Sequence, residues 1–358
     1  MLARLVSHDL PRSRWLAIAL LLVVVALALT PFIFPGTKAL NVAAKVIVFI
    51  VLAASFDLLL GYTGIVSFAH TMFFGIGAYG VAIAATRIGP TWPALALGIA
   101  CALVVSLVLS LLIGLFSLRV RAIFFAMITL AVASAFATLA SQLSDFTGGE
   151  DGLTFKVPEA LQPGTEYAAE PFLGASVDGR LLTYYLIFLA ALVLVLALLR
   201  IVNSPFGRVL QAIRENDFRA EAIGYRTVVY RTIASVASAL FATLAGVLLA
   251  LWLRYNGPDT TLSFEIMLDV LLIVVIGGMG TIYGAVVGSV LLVLAQNYLQ
   301  DLMKLAAAAV QDVPLLAQIV SPDRWLLWLG ILFVLSVYYF PAGVVGRLRS
   351  LGPSTPKR

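Results

Sequence analysis

Charge is what this chain has least of. Only 11% of its 358 residues are Asp, Glu, Lys or Arg, while 62% are hydrophobic. Soluble domains carry about 25% charged and roughly 45–50% apolar residues. Too little polar surface exists here to coat a water-soluble globule, which excludes the soluble classes. The single cysteine, Cys101, excludes an intramolecular disulfide and a thiolate metal cluster. Two histidines, His8 and His70, are too few for a histidine-based metal site, so no metal is expected. No G-x-x-x-x-G-K-[ST] run occurs, so ATP is not held through a phosphate loop, and no cofactor is expected on this chain. The net charge of +5 is no argument for nucleic acid. In a chain this apolar the place of each charge matters more than the sum.

What the sequence does hold is a succession of apolar runs, many of about 20 residues, the length that crosses a bilayer's hydrocarbon core. The runs are continuous and not alternating, which selects helices over a barrel. The expected fold is an all-α polytopic membrane protein, one transmembrane domain over 1–358. About ten spans are read: Arg14–Phe34, Val42–Leu60, Ser67–Thr86, Pro93–Phe116, Ala122–Ser141, Leu181–Val202, Thr232–Leu253, Phe264–Ile276, Gly280–Leu299 and Trp325–Phe340. The first follows Arg4, Arg12 and Arg14, as a signal peptide would. Its run is too long for such a segment, and Pro31 and Pro35 stand in place of a small-residue cleavage site, so it is read as a retained helix.

Arginines set the orientation. With the N-terminus inside, the inner segments hold Arg119, Arg121, Arg200, Arg208, Arg214, Arg219, Arg226, Arg231, Arg347, Arg349, Lys357 and Arg358. The outer segment 142–180 holds Asp145, Glu150, Asp151, Glu159, Glu166, Glu170 and Asp178 against Lys156 and Arg180, with Pro158, Pro163 and Pro171 breaking it up. This is the positive-inside bias. It places both termini in the cytoplasm, 142–180 in the periplasm and 203–231 in the longest cytoplasmic loop.

That loop contains GRVLQAIRENDFRAEAIGY, Gly207 to Tyr225, with three arginines and three acids. Val209, Ile213, Asn216, Ala220 and Ile223 repeat at spacings of four and three, one face of a helix. Pro205 precedes it, Asn216 and Asp217 sit where it would be interrupted, and Gly224 is placed to stop it. Two readings stand: an amphipathic helix on anionic lipid, or a docking helix. Glu215, Asp217 and Glu221 favour docking, since lipid would repel them and a protein interface would pair them.

This stretch resembles the cytoplasmic coupling segment of ABC-importer permeases, with Glu221-Ala222-Ile223-Gly224 as a degenerate form of its short motif. LLLGYTGIVSFAHTMFFGIGAYG (Leu58–Gly80), DFTGGEDGL (Asp145–Leu153) and IGGMGTIYGAVVG (Ile276–Gly288) resemble the longer, M-type permease subunit of branched-chain amino-acid ABC importers, in the same order, over about Val42 to Pro341. The resemblance implies an inner-membrane permease subunit with no catalytic residues. It implies a second permease subunit, two cytoplasmic ATPase subunits that bind ATP and Mg, and a periplasmic solute-binding protein. The pathway would lie between two permeases. Gly207, Arg208, Ile213, Arg214, Glu215, Asn216, Glu221 and Gly224 would serve ATPase coupling, the apolar stripe entering a cleft on the ATPase while Arg214, Glu215 and Glu221 orient it. Related permeases carry urea, amides and other small polar solutes, which stays open as an alternative.

Within the spans, Gly61, Gly64, Gly75, Gly77 and Gly80 surround Ser67 and His70. Each glycine costs a helix about 1 kcal/mol relative to alanine. Close helix packing accounts for that, and so does a broken helix whose backbone meets solute; Ser67, His70, Gly75 and Gly77 are the path candidates on the second reading. The turn Gly61–Gly64 also reads as a short inner connection. Gly280, Gly284 and Gly288 form overlapping GxxxG patterns, read as a helix-packing stripe, and Ser238, Ala242 and Ala245 form a second. Asp57, Asp269 and Glu265 lie near span ends, where they reach the interface or pair locally, and Lys45 is expected to snorkel. No chain of buried acids and histidines suggests a proton relay, which tells against an ion-coupled secondary transporter. Nor do these groups converge as a membrane-embedded enzyme would need. TGGEDGL lacks the alternating oxygen ligands of a calcium loop and is read as a glycine turn in the outer mouth.

Overall fold

The computed structural model describes residues 13–34, 36–117, 122–167, 176–309 and 321–350. Arg4, His8, Arg12, Pro35, Arg119, Arg121, Glu170, Pro171, Lys357 and Arg358 lie outside the described residues. The chain is helical throughout its apolar runs: α1 (Arg14–Ile33), α2 (Thr37–Thr63), α3 (His70–Arg87), α4 (Trp92–Ser117), α5 (Ala122–Gln142) and α6 (Gly179–Asn203). A short pair outside those runs follows, α7 (Pro205–Glu215) and α8 (Asp217–Ala222). Then come α9 (Thr227–Leu253), α10 (Phe264–Gly277), α11 (Ile282–Ala309), α12 (Trp325–Tyr339) and α13 (Gly343–Ser350). Two-residue strands β1 (Leu153–Thr154) and β2 (Tyr255–Asn256) pair antiparallel, Leu153 opposite Asn256.

Among the described residues, nine helical stretches are long and apolar enough to cross a membrane. They coincide with nine of the ten expected spans, and α3 is the exception. Its 18 residues measure about 27 Å, close to the hydrocarbon thickness of about 30 Å. Its glycines and His70 dilute its apolar character, and the reason is its place: every residue from His70 to Tyr79 is buried, so α3 meets protein and not lipid.

The axis of the bundle is α2, buried almost without interruption from Val42 to Thr63. Helices α6, α9, α10 and α11 pack around it, and α3 packs on α9 and α4. Phe56, Phe74, Leu52 and Tyr184 are among its largest fully buried side chains. Helices α1, α4 and α12 turn large apolar residues outward, including Leu21, Leu22, Val104, Leu326 and Val334, which is correct where lipid is the solvent. In lipid, apolar side chains gain nothing by leaving the solvent, so helices associate through close backbone approach. At the α3–α9 crossing Gly77 lies on the Thr243 carbonyl and Gly246 on the Phe74 carbonyl, with no room for a Cβ on either. Gly80 and Gly98 bring α3 and α4 together the same way.

The connections sort onto two faces. On one, the Ser13 hydroxyl donates to the Leu348 carbonyl at 3.1 Å, so the first and last described segments lie side by side. On the other, β1 and β2 join the segment after α5 to the segment after α9. There the Tyr255 hydroxyl donates to the Asp151 carbonyl at 3.1 Å. Arg180 and Trp252 both donate to Asn41 Oδ1, at 3.1 and 3.2 Å, and Lys38 pairs with Asp301. Several boundaries move from the sequence expectation. Helix α2 begins at Thr37 and α9 at Thr227, each five residues early, because polar residues at an interface continue a helix that apolar counting ends. Helix α11 begins at Ile282, leaving Gly280 in a turn with φ of +81°.

Candidate functional site

Local rules build the α7–α8 segment. Ser204 caps α7, accepting from the Gly207 amide at 3.4 Å, and Pro205 occupies its first turn, where a missing N–H costs nothing. Asn216 leaves the helix with φ −159° and caps α8 by accepting from the Arg219 amide at 2.9 Å. Gly224, at φ +98°, ends the segment. The interruption at Asn216 and the stop at Gly224 therefore fall where the sequence places them.

The face that the stripe presents does not. Leu210 and Ile213 are fully buried, and so are Gly207 and Ala220, because α7 lies against α2, α6 and α9 of the same chain. The expectation that Ile213 enters a partner's cleft is corrected: periodicity identifies a buried face but not what buries it. Two of the acids are also used internally. Asp217 pairs with Arg231 at 2.9 Å, and Glu221 accepts from the Thr227 hydroxyl at 2.6 Å, which folds α8 back onto the start of α9. Phe206 stacks on Tyr230 at 5.7 Å, and Tyr225 meets the same ring edge-on.

What faces outward is the rest of the stripe, Asn216 and Ile223, together with Phe218. Phe218 is 83% exposed and Ile223 68%. Ala222, Gly224, Arg208, Glu215, Asn216, Arg219 and Arg226 of the same segment are also exposed. Exposed apolar residues among charges of both signs are the composition of a docking surface. Sequence reasoning missed Phe218. Its only signal was an aromatic residue off the apolar stripe in a charged loop. Arg214 is partly exposed but turns one guanidinium nitrogen inward, donating from Nη1 to the Gly61 carbonyl.

The path candidates do not gather around an opening in this chain. Ser67 and His70 are buried, and His70 Nε2 lies 2.8 Å from Ser238 Oγ, which itself donates to the Ser55 carbonyl. Phe56 meets the imidazole edge-on at 5.0 Å. Gly75 abuts Leu262 and Gly77 abuts α9. His70 and Gly77 join α3 to α9, and Gly75 meets the segment between α9 and α10, so these positions make close contacts within the chain. The single-stripe reading of Gly280, Gly284 and Gly288 is corrected in part. Gly284 and Gly288 press α11 onto Ile273 and Gly277 of α10 and onto Gly278 just after it, whereas Gly280 lies before the helix starts. Ser238, Ala242 and Ala245 are buried in α9. Asp269 accepts from Gln296 at 2.7 Å and Lys45 lies over the Phe49 ring at 5.3 Å, both local arrangements.

At the opposite face, Gly148, Gly149 and Gly152 adopt φ of +79°, +63° and +70°, so DFTGGEDGL is a compact glycine turn that leaves Glu150 exposed. It forms one wall of a cleft of about 410 Å³ lined by Thr138, Ser141, Gln142, Glu150, Asp259 and Leu262, among others. Among the described residues no group of three His, Cys, Asp or Glu side chains is arranged to hold a metal ion.

Comparison with known proteins places these observations. A family model for the permease component of branched-chain amino acid transport systems matches residues 38–340. The high-affinity branched-chain amino acid transport system permease protein LivM of Salmonella typhimurium is 28% identical over 304 residues, 81% of this chain and 69% of that protein. Its Escherichia coli namesake is 27% identical over 294 residues, covering 78% and 67%. A probable branched-chain amino acid transport permease protein LivM of Methanocaldococcus jannaschii is 25% identical over 308 residues, covering 82% and 84%. No solved structure matches the chain.

Proposed function

The chain belongs to the family of branched-chain amino acid transport system permease components, and we propose that it is the membrane-spanning subunit of an ATP-driven importer that carries branched-chain amino acids inward across the bacterial inner membrane. The observation that carries the mechanism is the two-sided α7–α8 segment. Its inner side is embedded in the transport helices through Leu210 and Ile213, and its outer side presents Phe218 and Ile223. A partner that grips Phe218 and Ile223 thereby moves α2, α6 and α9. The chain itself supplies no hydrolytic group in this reading. Two ATPase subunits carry ATP and Mg, a second permease completes the pathway, and a periplasmic binding protein delivers solute.

Orientation follows from charge. Arg208, Arg214, Arg219 and Arg226 are exposed on the α7–α8 face, while Asp145, Glu150, Asp151, Glu159 and Glu166 are exposed on the other. The positive-inside bias makes the first face cytoplasmic. Cysteines placed at Glu166 and Phe218, in a Cys101→Ala background, are expected to react oppositely with an impermeant thiol reagent: the first from outside, the second only after permeabilisation.

The direct test is reconstitution with the partner subunits and measurement of leucine uptake into vesicles. Uptake that needs ATP and survives proton and sodium ionophores is the expected result. Uptake abolished by ionophores would assign the chain to ion-coupled transport instead. Competition by urea and amides in the same assay decides between amino acids and other small polar solutes.

A further inference from the structure

Two glycine-rich stretches far apart in sequence, Gly61–Gly64 at the end of α2 and Gly277–Gly280 from the end of α10 to the turn before α11, meet at the α7–α8 face. Asp57, fully buried one turn before Gly61, accepts from the Gly280 amide at 2.8 Å. This bond fastens the turn before α11 to the end of α2. The other carboxylate oxygen, Oδ2, has no partner among the described residues.

Arg214 reaches this junction from the last turn of α7. Its Nη1 donates to the Gly61 carbonyl, and its charge acts on Asp57. Its stem crosses Gly64, where a Cβ would stand 3.3 Å from Arg214 Cγ. A Cβ on Gly280 would stand 2.8 Å from Arg214 Nη1 and 3.0 Å from the Gly61 carbonyl oxygen. Gly61 has no room for a Cβ between Asp57 and the Gly280 amide. The glycines of both stretches thus form a groove around one guanidinium. Among the described residues, Arg208, Arg219 and Arg226 share the surface but make no such contact.

We infer that Arg214 is the joint between the coupling segment and the transport helices, a positioning residue that carries movement of α7 and α8 into α2 and α11. The inference rests on the functional reading above. Leu210 and Ile213 hold α7 by apolar contact, which tolerates sliding. A charge-assisted hydrogen bond is directional and fixes register. Because Asp57 ties the turn before α11 to the same end of α2, a pull on Arg214 reaches both helices, and α2 is the axis on which the bundle packs. Arg214 touches neither nucleotide nor solute in this role.

The test uses the complete transporter in proteoliposomes and reads solute molecules moved per ATP hydrolysed. Arg214→Gln is expected to keep ATPase subunits at wild-type stoichiometry and to keep hydrolysing ATP, while solute per ATP falls about tenfold, the scale of one lost charge-assisted hydrogen bond. Arg214→Lys, which keeps charge and a donor, is expected to recover part of the ratio. Gly280→Ala disturbs the groove from the opposite side and lowers the ratio in the same direction. Lys304→Gln, on the opposite face beside Asp301, leaves it at the wild-type value. An unchanged ratio in both Arg214→Gln and Gly280→Ala overturns the inference. So does loss of ATPase subunits from the Arg214→Gln complex, which makes the residue a docking contact. Should Arg214→Gln fail to assemble, the Gly280→Ala ratio decides. A wild-type transporter without ATP-driven uptake would defeat the functional reading itself, a distinct result.

Discussion

Two groups of glycines in this protein look alike in sequence and differ in use. Gly75, Gly77 and Gly246 sit in helices α3 and α9, pressed on neighbouring side chains and carbonyls deep in the bundle. Gly61, Gly64 and Gly280 sit at helix ends around a single arginine and a buried carboxylate. The first group removes side chains so that two backbones can touch. The second removes them so that a long side chain from outside the bundle can reach in. Glycine density marks closeness in both, and only the partner decides whether the closeness is static packing or a mechanical connection.

Substitutions separate the two groups, and the largest effects belong to the packing glycines. Gly77→Leu drives a branched side chain into the Thr243 backbone. A cost of about 3 kcal/mol or more is expected, since neither helix can yield without separating. Loss of monodisperse protein in detergent checks it, and normal yield with normal transport would contradict the packing role. Gly284→Leu, at the α10–α11 contact, is expected to reduce complex yield for the same reason and by a smaller margin, because it lies near a helix end.

Next in size is the docking face. Phe218→Asp leaves folding untouched, because the side chain is already exposed. It should weaken ATPase association by about 2 kcal/mol, the scale of one aromatic anchor, or roughly 30-fold. Titrating the ATPase subunit onto the permease pair measures this directly. Ile213→Asp should behave differently: a charge placed in the protein's own interior lowers thermal stability before it affects docking. Smallest is Gly64→Ala, which imposes a left-handed conformation on alanine at φ +73°. It should cost about 1 kcal/mol with a modest fall in coupling, visible as a shift in melting temperature of a few degrees.

How much of this was legible in the sequence follows the same division. Run length and continuity place the helices. Turn chemistry finds the break at Asn216 and the stop at Gly224. Each of these is a local property of the chain. The 3.6-residue period of Val209, Ile213, Asn216, Ala220 and Ile223 reads as one face whether a partner or the chain's own helices cover it, so it does not separate buried Ile213 and Ala220 from outward Ile223, and it passes over Phe218. GxxxG spacing groups Gly280 with Gly284 and Gly288, but Gly280 stands in a turn whose amide donates to Asp57, 223 positions away. The Arg214 contact with Gly61 spans 153 positions and leaves no local trace.

The central claim is that one short segment has a docking side and a transmitting side. The number of ATPase subunits retained per permease pair, compared between Phe218→Asp and Arg214→Gln after identical purification, tests it most directly. The account predicts depletion in Phe218→Asp and full retention in Arg214→Gln. Full retention in both, or depletion in Arg214→Gln alone, would contradict it.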